Sequence, residues 1–235
     1  NKVIQETVAQ NATYPGREGY PVGALFAYKT AGLDADGYPL FVNKNGEKVS
    51  ATEFLKLNAH GASTLTAEEQ RNLYTYMGST DPKWTGGFIN TFDYKNWQLG
   101  INFTFNFGMK VRVQPSYSPA NYDRGLNVNR DILNRWTADN TNGSFTKLMV
   151  STERPREYVQ YNEYNLYSML DTWVKDCNYA RLQSLRLGYK LPTQWLSRIG
   201  VKSASLSLEA RNLLVIASNY DNYLDPETMG NPYAQ

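Results

Sequence analysis

Cysteine and histidine are almost absent from the chain, and their scarcity excludes several kinds of site. Cys177 and His60 are the only examples among 235 residues. A single cysteine cannot form an intramolecular disulfide, so the sequence predicts no disulfide scaffold. One cysteine and one histidine far apart in the chain also argue against a zinc site and against a Cys–His catalytic pair. His60 lies in a polar stretch, and we expect it to be exposed to solvent.

A surplus of charge of one sign is also missing. The 24 Lys and Arg residues less the 22 Asp and Glu residues leave a net charge of +2, and the basic residues are scattered along the chain. Nucleic-acid binders concentrate basic residues on one face, so this class of protein is disfavoured.

Long apolar runs are missing as well. No stretch approaches the roughly 18 apolar residues that a membrane-spanning helix needs, and the sequence shows no N-terminal signal peptide. The chain starts at Asn1, and we expect it to be a fragment of a longer protein. The mean hydropathy of −0.56 does not exclude a membrane protein, because strands of a membrane barrel alternate apolar and polar residues and average to neutral.

Aromatic residues are abundant, and they mark the clearest secondary structure. The chain has 18 Tyr, 9 Phe and 5 Trp. Residues 97–108 alternate apolar and polar side chains without a break, with Trp97, Leu99, Ile101, Phe103, Phe105 and Phe107 on one face. This period of two predicts a strand, and its length suits a strand that crosses a bilayer, which needs about 9–11 residues. A half-buried strand of a soluble sandwich is the alternative, although such strands average about 5–6 residues.

Two hairpins follow from the same alternation. Residues 87–95 precede the strand 97–108, and the short gap between them predicts a tight turn at Lys95-Asn96. Residues 182–191 and 204–216 form the second predicted pair. Their connection has room for one short helical turn that ends at Gly200.

The remaining segments lack strand periodicity. Leu126 to Trp136 predicts a short helix with Ile132, Leu133 and Trp136 on its apolar side. In the first 85 residues we expect turns followed by a helix that starts near Thr66. Thr66 and Glu69 form a capping-box pattern that leads into residues 70–77. Long loops suit an outer-membrane barrel, which has short periplasmic turns and long external loops. By that rule 87–95 and 182–191 run inward, while 97–108 and 204–216 run outward.

Several stretches resemble the SusC/RagA-like TonB-dependent receptors of Bacteroidetes. They occur in the family's order, and they are residues 28–37 (YKTAGLDADG), 81–97 (DPKWTGGFINTFDYKNW), Arg135-Trp136, 179–192 (YARLQSLRLGYKLP), Asn212-Leu213 and Asp225-Pro-Glu227. Each stretch is weak evidence alone, but together they span residues 28–227. The resemblance implies an all-β fold, namely antiparallel strands of a transmembrane barrel of about 22 strands, with long extracellular loops carrying short helices.

The resemblance also implies a function. The receptor would import oligosaccharides or peptides across the cell outer membrane, driven by TonB through a plug domain and covered by a SusD-like surface lipoprotein. Residues 1–235 would be a C-terminal part of the barrel, without the plug, the earlier strands or the last strand. By this interpretation the chain contacts outer-membrane lipid, has no catalytic residues, and needs no metal and no cofactor.

Candidate site residues fall into two groups. The residues expected to face the barrel lumen are Asn102, Thr104, Asn106, Arg186, Lys190, Glu209 and Arg211. The loop aromatics expected to contact substrate or partner are Trp84, Tyr117, Tyr122, Trp136, Tyr158 and Tyr161. Two stretches that faintly resemble calcium loops, 34–37 and 43–46, fail the required ligand spacing and are interpreted as Asx turns. Asp225-Pro-Glu227 is interpreted as a solvated turn.

The main alternative is a secreted, soluble β-rich carbohydrate-binding protein whose aromatic side chains form binding platforms and cores. A glycosidase would need two carboxylates at a defined separation across a cleft, and no sequence feature supports that arrangement. A requirement for detergent would distinguish the transporter from the soluble protein.

Overall fold

The computed structural model describes residues 2–3, 17–59, 62–113, 130–148, 168–218 and 225–229. The chain divides into two compact units. One comprises residues 1–79 and 112–175 and is called the loop unit, and the other comprises residues 80–111 and 176–235 and is called the sheet unit. Within the described ranges, no helix is long and apolar enough to cross a membrane.

Most elements are short strands, and the long strands all belong to the sheet unit. In chain order the strands are β1 (Ala24–Ala27), β2 (Thr30–Leu33), β3 (Pro39–Val42), β4 (Lys48–Val49), β5 (Thr75–Ser79), β6 (Trp84–Tyr94), β7 (Trp97–Phe107), β8 (Lys110–Arg112), β9 (Val174–Asp176), β10 (Asn178–Lys190) and β11 (Ser205–Ser218). The α-helices are α1 (Ala51–Phe54), α2 (Ala67–Arg71), α3 (Thr193–Leu196) and α4 (Pro226–Met229). Short 3₁₀ helices cover Arg130–Asn134, Asp171–Trp173 and Ser197–Ile199.

The sheet unit contains a four-stranded antiparallel sheet in the order β11-β10-β7-β6. Tyr94 pairs with Trp97, which leaves Lys95 and Asn96 as the turn, and Lys95 has a positive φ of 52°. The first predicted hairpin is therefore confirmed, as is the pairing of the second hairpin. β6 starts at Trp84, three residues before the predicted start, since Gly86 and Gly87 continue the pairing instead of ending it.

A bulge interrupts the alternation of β10. The pairing of β10 with both neighbours shifts between Leu182 and Ser184. A bulge inserts one extra residue without reversing the two faces of the rest of the strand. For this reason Leu182 and Leu185, three positions apart, both lie opposite apolar residues of β7, namely Phe103 and Ile101.

The loop unit has an aromatic core. Tyr28 stacks on Tyr74 with ring centroids 4.2 Å apart, and Phe41 stacks on Phe54 at 4.8 Å. Tyr28 also meets Phe54 edge-on at 5.7 Å. Such pairs contribute about 0.5–1.5 kcal/mol each beyond the burial of their area. The sequence predicted only turns before residue 66, because strands of two to four residues are too short to display a period.

Two predicted helices are partly correct. The capping box at Thr66 and Glu69 is present, but α2 ends at Arg71, and the expected continuation to residue 77 is wrong. Residues 75–79 instead pair with β1, where Tyr76 packs against Phe26 with a centroid distance of 5.8 Å.

The predicted helix at 126–136 is a 3₁₀ helix over Arg130–Asn134, and residues 126–129 lie outside the described residues. Ile132 is buried as expected, whereas Leu133 is 65% exposed and does not share its apolar side. Successive residues of a 3₁₀ helix point about a third of a turn apart, so neighbours cannot both face the core.

The two Asx turns are confirmed. Asp34 Oδ1 accepts hydrogen bonds from the N–H groups of Asp36 and Tyr38 at 2.9 and 2.8 Å. Asn43 Oδ1 accepts the equivalent bonds from Asn45 and Glu47, both at 2.9 Å.

Candidate functional site

One face of the four-stranded sheet is apolar and open. Residues directly opposite each other in antiparallel strands point to the same side, and the register pairs Phe88 with Phe103 and Leu187 with both Leu99 and Leu208. The strongly exposed large side chains on this side are Trp84, Phe88, Phe92, Tyr94, Trp97, Phe107, Leu187, Leu206, Leu208, Leu214 and Ile216. We call them the apolar face. A contiguous exposed surface of this kind indicates contact with lipid or with another protein.

Aromatic residues stand at both ends of the apolar face. Trp97 packs on Tyr189 at 4.6 Å beside Tyr94, while Trp84 pairs with Phe107 at the opposite end. Ten residue steps of about 3.3 Å separate the two ends along β6. In a barrel whose strands tilt by about 40°, this length corresponds to a height of roughly 25 Å along the barrel axis. That height matches the apolar band of an outer-membrane barrel, which is about 25 Å and is bounded by aromatic girdles.

The opposite face of the sheet is polar. It carries all seven residues predicted to face a lumen, which are Asn102, Thr104, Asn106, Arg186, Lys190, Glu209 and Arg211. Arg186 pairs with Glu209 across β10 and β11, and Arg211 Nε donates to Glu209 Oε1 at 2.8 Å. Asn106 donates from Nδ2 to the hydroxyl of Tyr179 at 2.6 Å. The register therefore brings the seven residues onto one surface, and their role in transport stays a prediction.

An ion-paired arginine, which the sequence analysis did not single out, lies on the polar face. The side chain of Arg181 is only 5% exposed. Its Nη2 donates to Asp225 Oδ1, and its Nε lies 3.0 Å from Glu227 Oε2, a distance in ion-pair range although the angle is not that of a hydrogen bond. Gln183 Nε2 donates to Thr104 Oγ1 at 3.1 Å and to Glu227 Oε1 at 3.4 Å. We call these five residues the arginine cluster.

The interpretation of Asp225-Pro-Glu227 as a solvated turn is only partly correct, because both carboxylates are exposed to solvent but pair with Arg181. Asp225 Oδ1 also accepts from the backbone N–H of Glu227 at 2.9 Å, which holds the start of α4. Burial raises the pKa of Asp225, but the hydrogen bonds from Glu227 N–H and Arg181 outweigh it and hold this pKa below its usual value. The short acidic motif is therefore bound to a buried cation 44 residues earlier in the chain, and no local pattern could reveal that pairing.

The predicted loop aromatics have different outcomes. Trp84 is the first residue of β6 and lies on the apolar face, so its assignment to a loop is wrong. Trp136 does lie in a loop, where it packs on Gly37 and has Lys147 Nζ 5.7 Å from its ring centroid. The other four, Tyr117, Tyr122, Tyr158 and Tyr161, lie outside the described residues, as does His60.

A cavity of about 300 Å³ opens in the loop unit. Its lining is about equally polar and apolar, with hydroxyl, amide and backbone groups beside Leu33, Pro39, Phe145 and Leu170, and it contains no charged side chain. The volume is at the small end of ligand pockets. Its chemistry suits a neutral polar group, such as a sugar ring or a peptide backbone, better than an ion.

Comparisons with known proteins agree with the geometry of the sheet. The chain is 28% identical over 222 residues, 93% of its length, to "TonB-dependent receptor P3" of Formosa agariphila. It is 27% identical over 158 residues, 64% of its length, to "TonB-dependent receptor P26" of the same organism. Among solved structures, "Structure of the RagAB peptide transporter" is similar over 89% of the chain, with a TM-score of 0.59 and 25% identity. No family model matches.

The chain is therefore similar to TonB-dependent receptors of the SusC/RagA-like kind. The chain spans about one fifth of the length of "TonB-dependent receptor P3" and of the solved transporter chain, at 20% and 21%. The expected fold class, antiparallel strands belonging to a transmembrane β-barrel, is confirmed. An exposed apolar face of this kind is what the lipid side of a barrel wall requires.

Metal-binding groups and reactive thiols are two further kinds of chemistry that the described residues could supply. Among these residues, no group of three His, Cys, Asp or Glu side chains is placed to hold a metal ion. Cys177 is fully buried, and burial, aided by the charge of Asp225, raises the pKa of its thiol to about 11. A thiol with so high a pKa stays protonated near neutral pH, so it is a poor nucleophile.

Proposed function

We propose that this chain forms wall strands and outward-facing loops of an outer-membrane importer energised by TonB. The observation that carries the proposal is the four-stranded sheet, whose exposed apolar face has the height and the aromatic ends of a lipid-facing wall. The similarity to two TonB-dependent receptors and to a peptide transporter supports the same interpretation.

The polar face would then look into the barrel. Most of its side chains are amides, hydroxyls and charged groups, among them the Arg211–Glu209 ion pair, and Ile89 is an exposed apolar exception. Such groups keep water and polar solutes in the lumen, and their substitution tunes selectivity more than stability. The arginine cluster would hold α4 against this inner surface, since Arg181 contacts both Asp225 and Glu227.

The substrate class that we propose is an oligosaccharide or a peptide. The neutral, hydroxyl-lined cavity of the loop unit supports this class, because both ligands present hydroxyl or amide groups without requiring a counter-charge. The similarity to a structure titled as a peptide transporter supports the peptide alternative.

A SusD-like surface lipoprotein is the proposed partner. The long connection between β7 and β10 would be its contact surface, because the segment 110–178 is rich in Tyr, Trp, Arg and Asn, residue types that include the aromatic and Arg anchors of protein interfaces. Loops of this length are more often functional or disordered than idle. By the loop-length rule, this connection lies outside the cell.

Uptake by the full-length receptor tests the proposal. Cells carrying the receptor should accumulate labelled oligosaccharides or peptides, and the accumulation should stop when TonB is deleted, while binding to the cell surface persists. Deletion of residues 118–165 should leave the barrel assembled but abolish uptake or copurification of the lipoprotein. Wild-type uptake and copurification in that variant would show that the segment is only a shield.

Solubility decides between the importer and the soluble carbohydrate-binding alternative. The receptor should need detergent to remain dispersed after extraction, because Leu208 and Trp84 are 74% and 71% exposed on the apolar face. A receptor that stays monodisperse without detergent and binds glycans would favour the soluble protein.

A further inference from the structure

The connection between β10 and β11, residues 191–204, exposes apolar side chains that the barrel wall does not need. Trp195 and Ile199 are 62% and 72% exposed, and Val201 is 40% exposed. Trp195 lies in α3 and Ile199 in the following 3₁₀ turn, so one short segment presents both exposed side chains. Leu196 is buried and fixes the segment, and Gly200 ends it with a φ of 73°.

The same end of the sheet is basic. The connection 191–204 contains Arg198 and Lys202 and no acidic residue. Lys190 immediately precedes it, and Lys95 lies in the adjacent hairpin turn with its Nζ 5.3 Å from the ring centroid of Tyr94. Residues 191–204 and Lys95 together define what we call the basic rim, whereas Lys190 lies on the polar face.

The basic rim continues the lipid-facing wall. The backbone N–H of Lys190 donates to Asn96 O at 2.8 Å, which places the two connections side by side. Trp97 and Tyr189, the aromatic end of the apolar face, are the next residues along β7 and β10. On the other side of the connection, β11 begins with Leu206 and Leu208, which are 72% and 74% exposed.

We propose that the basic rim anchors the receptor in the membrane interface by binding anionic phospholipid. Trp195, Ile199 and Val201 insert at the boundary between headgroups and acyl chains, where Trp is enriched and apolar side chains of interfacial helices reside. Arg198 and Lys202 bind headgroup phosphates, as basic residues beside a membrane surface do. The inference rests on the proposed membrane location of the sheet, and it adds a specific lipid contact at this end of the wall.

Spin-label accessibility in the full-length receptor tests the proposal. Cysteine is introduced singly at Trp195, Ile199, Leu208 and Ser207, and the receptor is reconstituted in vesicles of three parts phosphatidylcholine to one part phosphatidylglycerol. The parental receptor, labelled in the same way, measures the background from native cysteines. Leu208→Cys reports on the apolar face, and Ser207→Cys, its neighbour in β11 that pairs with Gly188 on the polar face, is the matched control.

The proposal expects labels at Trp195 and Ile199 to collide several-fold more often with oxygen than with a water-soluble nickel chelate. The label at Ser207 should show the reverse. Water-like accessibility at Trp195 and Ile199, with Leu208 in lipid, would overturn the basic rim and leave the importer intact. A water-exposed label at Leu208 would overturn both.

Lipid charge tests the basic residues. The label at Ile199 should lie deeper in vesicles with phosphatidylglycerol than in pure phosphatidylcholine, and the double change Arg198→Gln, Lys202→Gln should abolish that difference. Equal depth in both vesicle types before the double change would contradict the proposed recognition of anionic phospholipid.

Discussion

Removal of the two carboxylates of the arginine cluster should release α4 more strongly than removal of the arginine itself. The double variant Asp225→Asn, Glu227→Gln leaves the guanidinium of Arg181 buried, with a side chain only 5% exposed, and without an anionic partner. The variant Arg181→Met leaves two carboxylates whose side chains are 43% and 48% exposed and can regain water. The asymmetry arises because desolvation falls almost entirely on the cation.

The structure allows the sizes of the two effects to be estimated. An uncompensated buried charge costs about 3–5 kcal/mol. Because the two carboxylates of the cluster are partly exposed, water can approach the guanidinium from their side, and we expect the double variant to cost about 3 kcal/mol, the lower limit. Ion pairs with half-exposed partners contribute about 0.2–1 kcal/mol each, so Arg181→Met should cost about 1 kcal/mol. Combining all three changes removes the stranded charge, and the free energy of unfolding should return close to that of Arg181→Met.

Amide hydrogen exchange over residues 225–229 of the full-length receptor measures these effects. Since 1.4 kcal/mol corresponds to a factor of about ten, exchange should accelerate about a hundredfold in the carboxylate double variant and about fivefold in Arg181→Met. Exchange over β6 should stay unchanged and serves as the internal control. Equal acceleration in the two variants, or none in the double variant, would refute the reasoning.

The cluster should also weaken in acid. The pKa of Asp225 is lowered in the folded receptor, so its carboxylate stabilises the fold above its unfolded pKa of about 3.9. That stabilisation is lost as the pH falls through the lower folded pKa. Exchange over 225–229, corrected for the intrinsic pH dependence, should therefore rise below about pH 4 in the parental receptor and show a smaller rise in Asp225→Asn.

Three further changes test the wall and the loop unit. Phe88→Arg should cost about 2–4 kcal/mol near the bilayer midplane and reduce outer-membrane assembly, which is measured by heat-modifiable migration of the full-length receptor. Thr91→Arg, on the polar side of the same strand, should be tolerated. Equal assembly of the two variants would contradict a lipid-facing Phe88. Gly37→Val should destabilise the loop unit in thermal unfolding, because Gly37 has a φ of 85° and an added Cβ would lie 2.5 Å from the Trp136 ring; unchanged unfolding would show that the ring moves freely. Thr66→Ala should raise exchange at the start of α2 by removing the cap to the Glu69 N–H, an effect of about 1 kcal/mol, while Thr66→Ser should preserve it.

The alternation of side chains predicted the wall strands well. Residues 97–108 have a period of two that only a strand satisfies, and the two-residue gap at Lys95 fixed the first hairpin. The same alternation placed Asn102, Thr104 and Asn106 on the polar side. These features are local, because each depends on residues within one turn or one strand.

Prediction failed where the deciding contact is distant in the sequence. Thr75–Ser79 has no strand pattern of its own and becomes β5 through pairing with β1, about 50 residues earlier. Trp84 precedes the predicted strand 87–95 and was assigned to a loop, but its pairing with Phe107 makes it the first residue of β6. Tertiary pairing overrides local propensity in both segments.

The sequence by itself determined the class of the sheet, its two faces and its first turn, since hydrophobic period and turn length are properties of neighbouring residues. Only the tertiary structure decided that β10 pairs with β7 across about seventy intervening residues. It also decided that Asp225 and Glu227 neutralise Arg181. The physical reason is that closing a long loop costs entropy almost independently of its sequence, so its partners are selected by packing, burial and charge that appear only once the chain has folded.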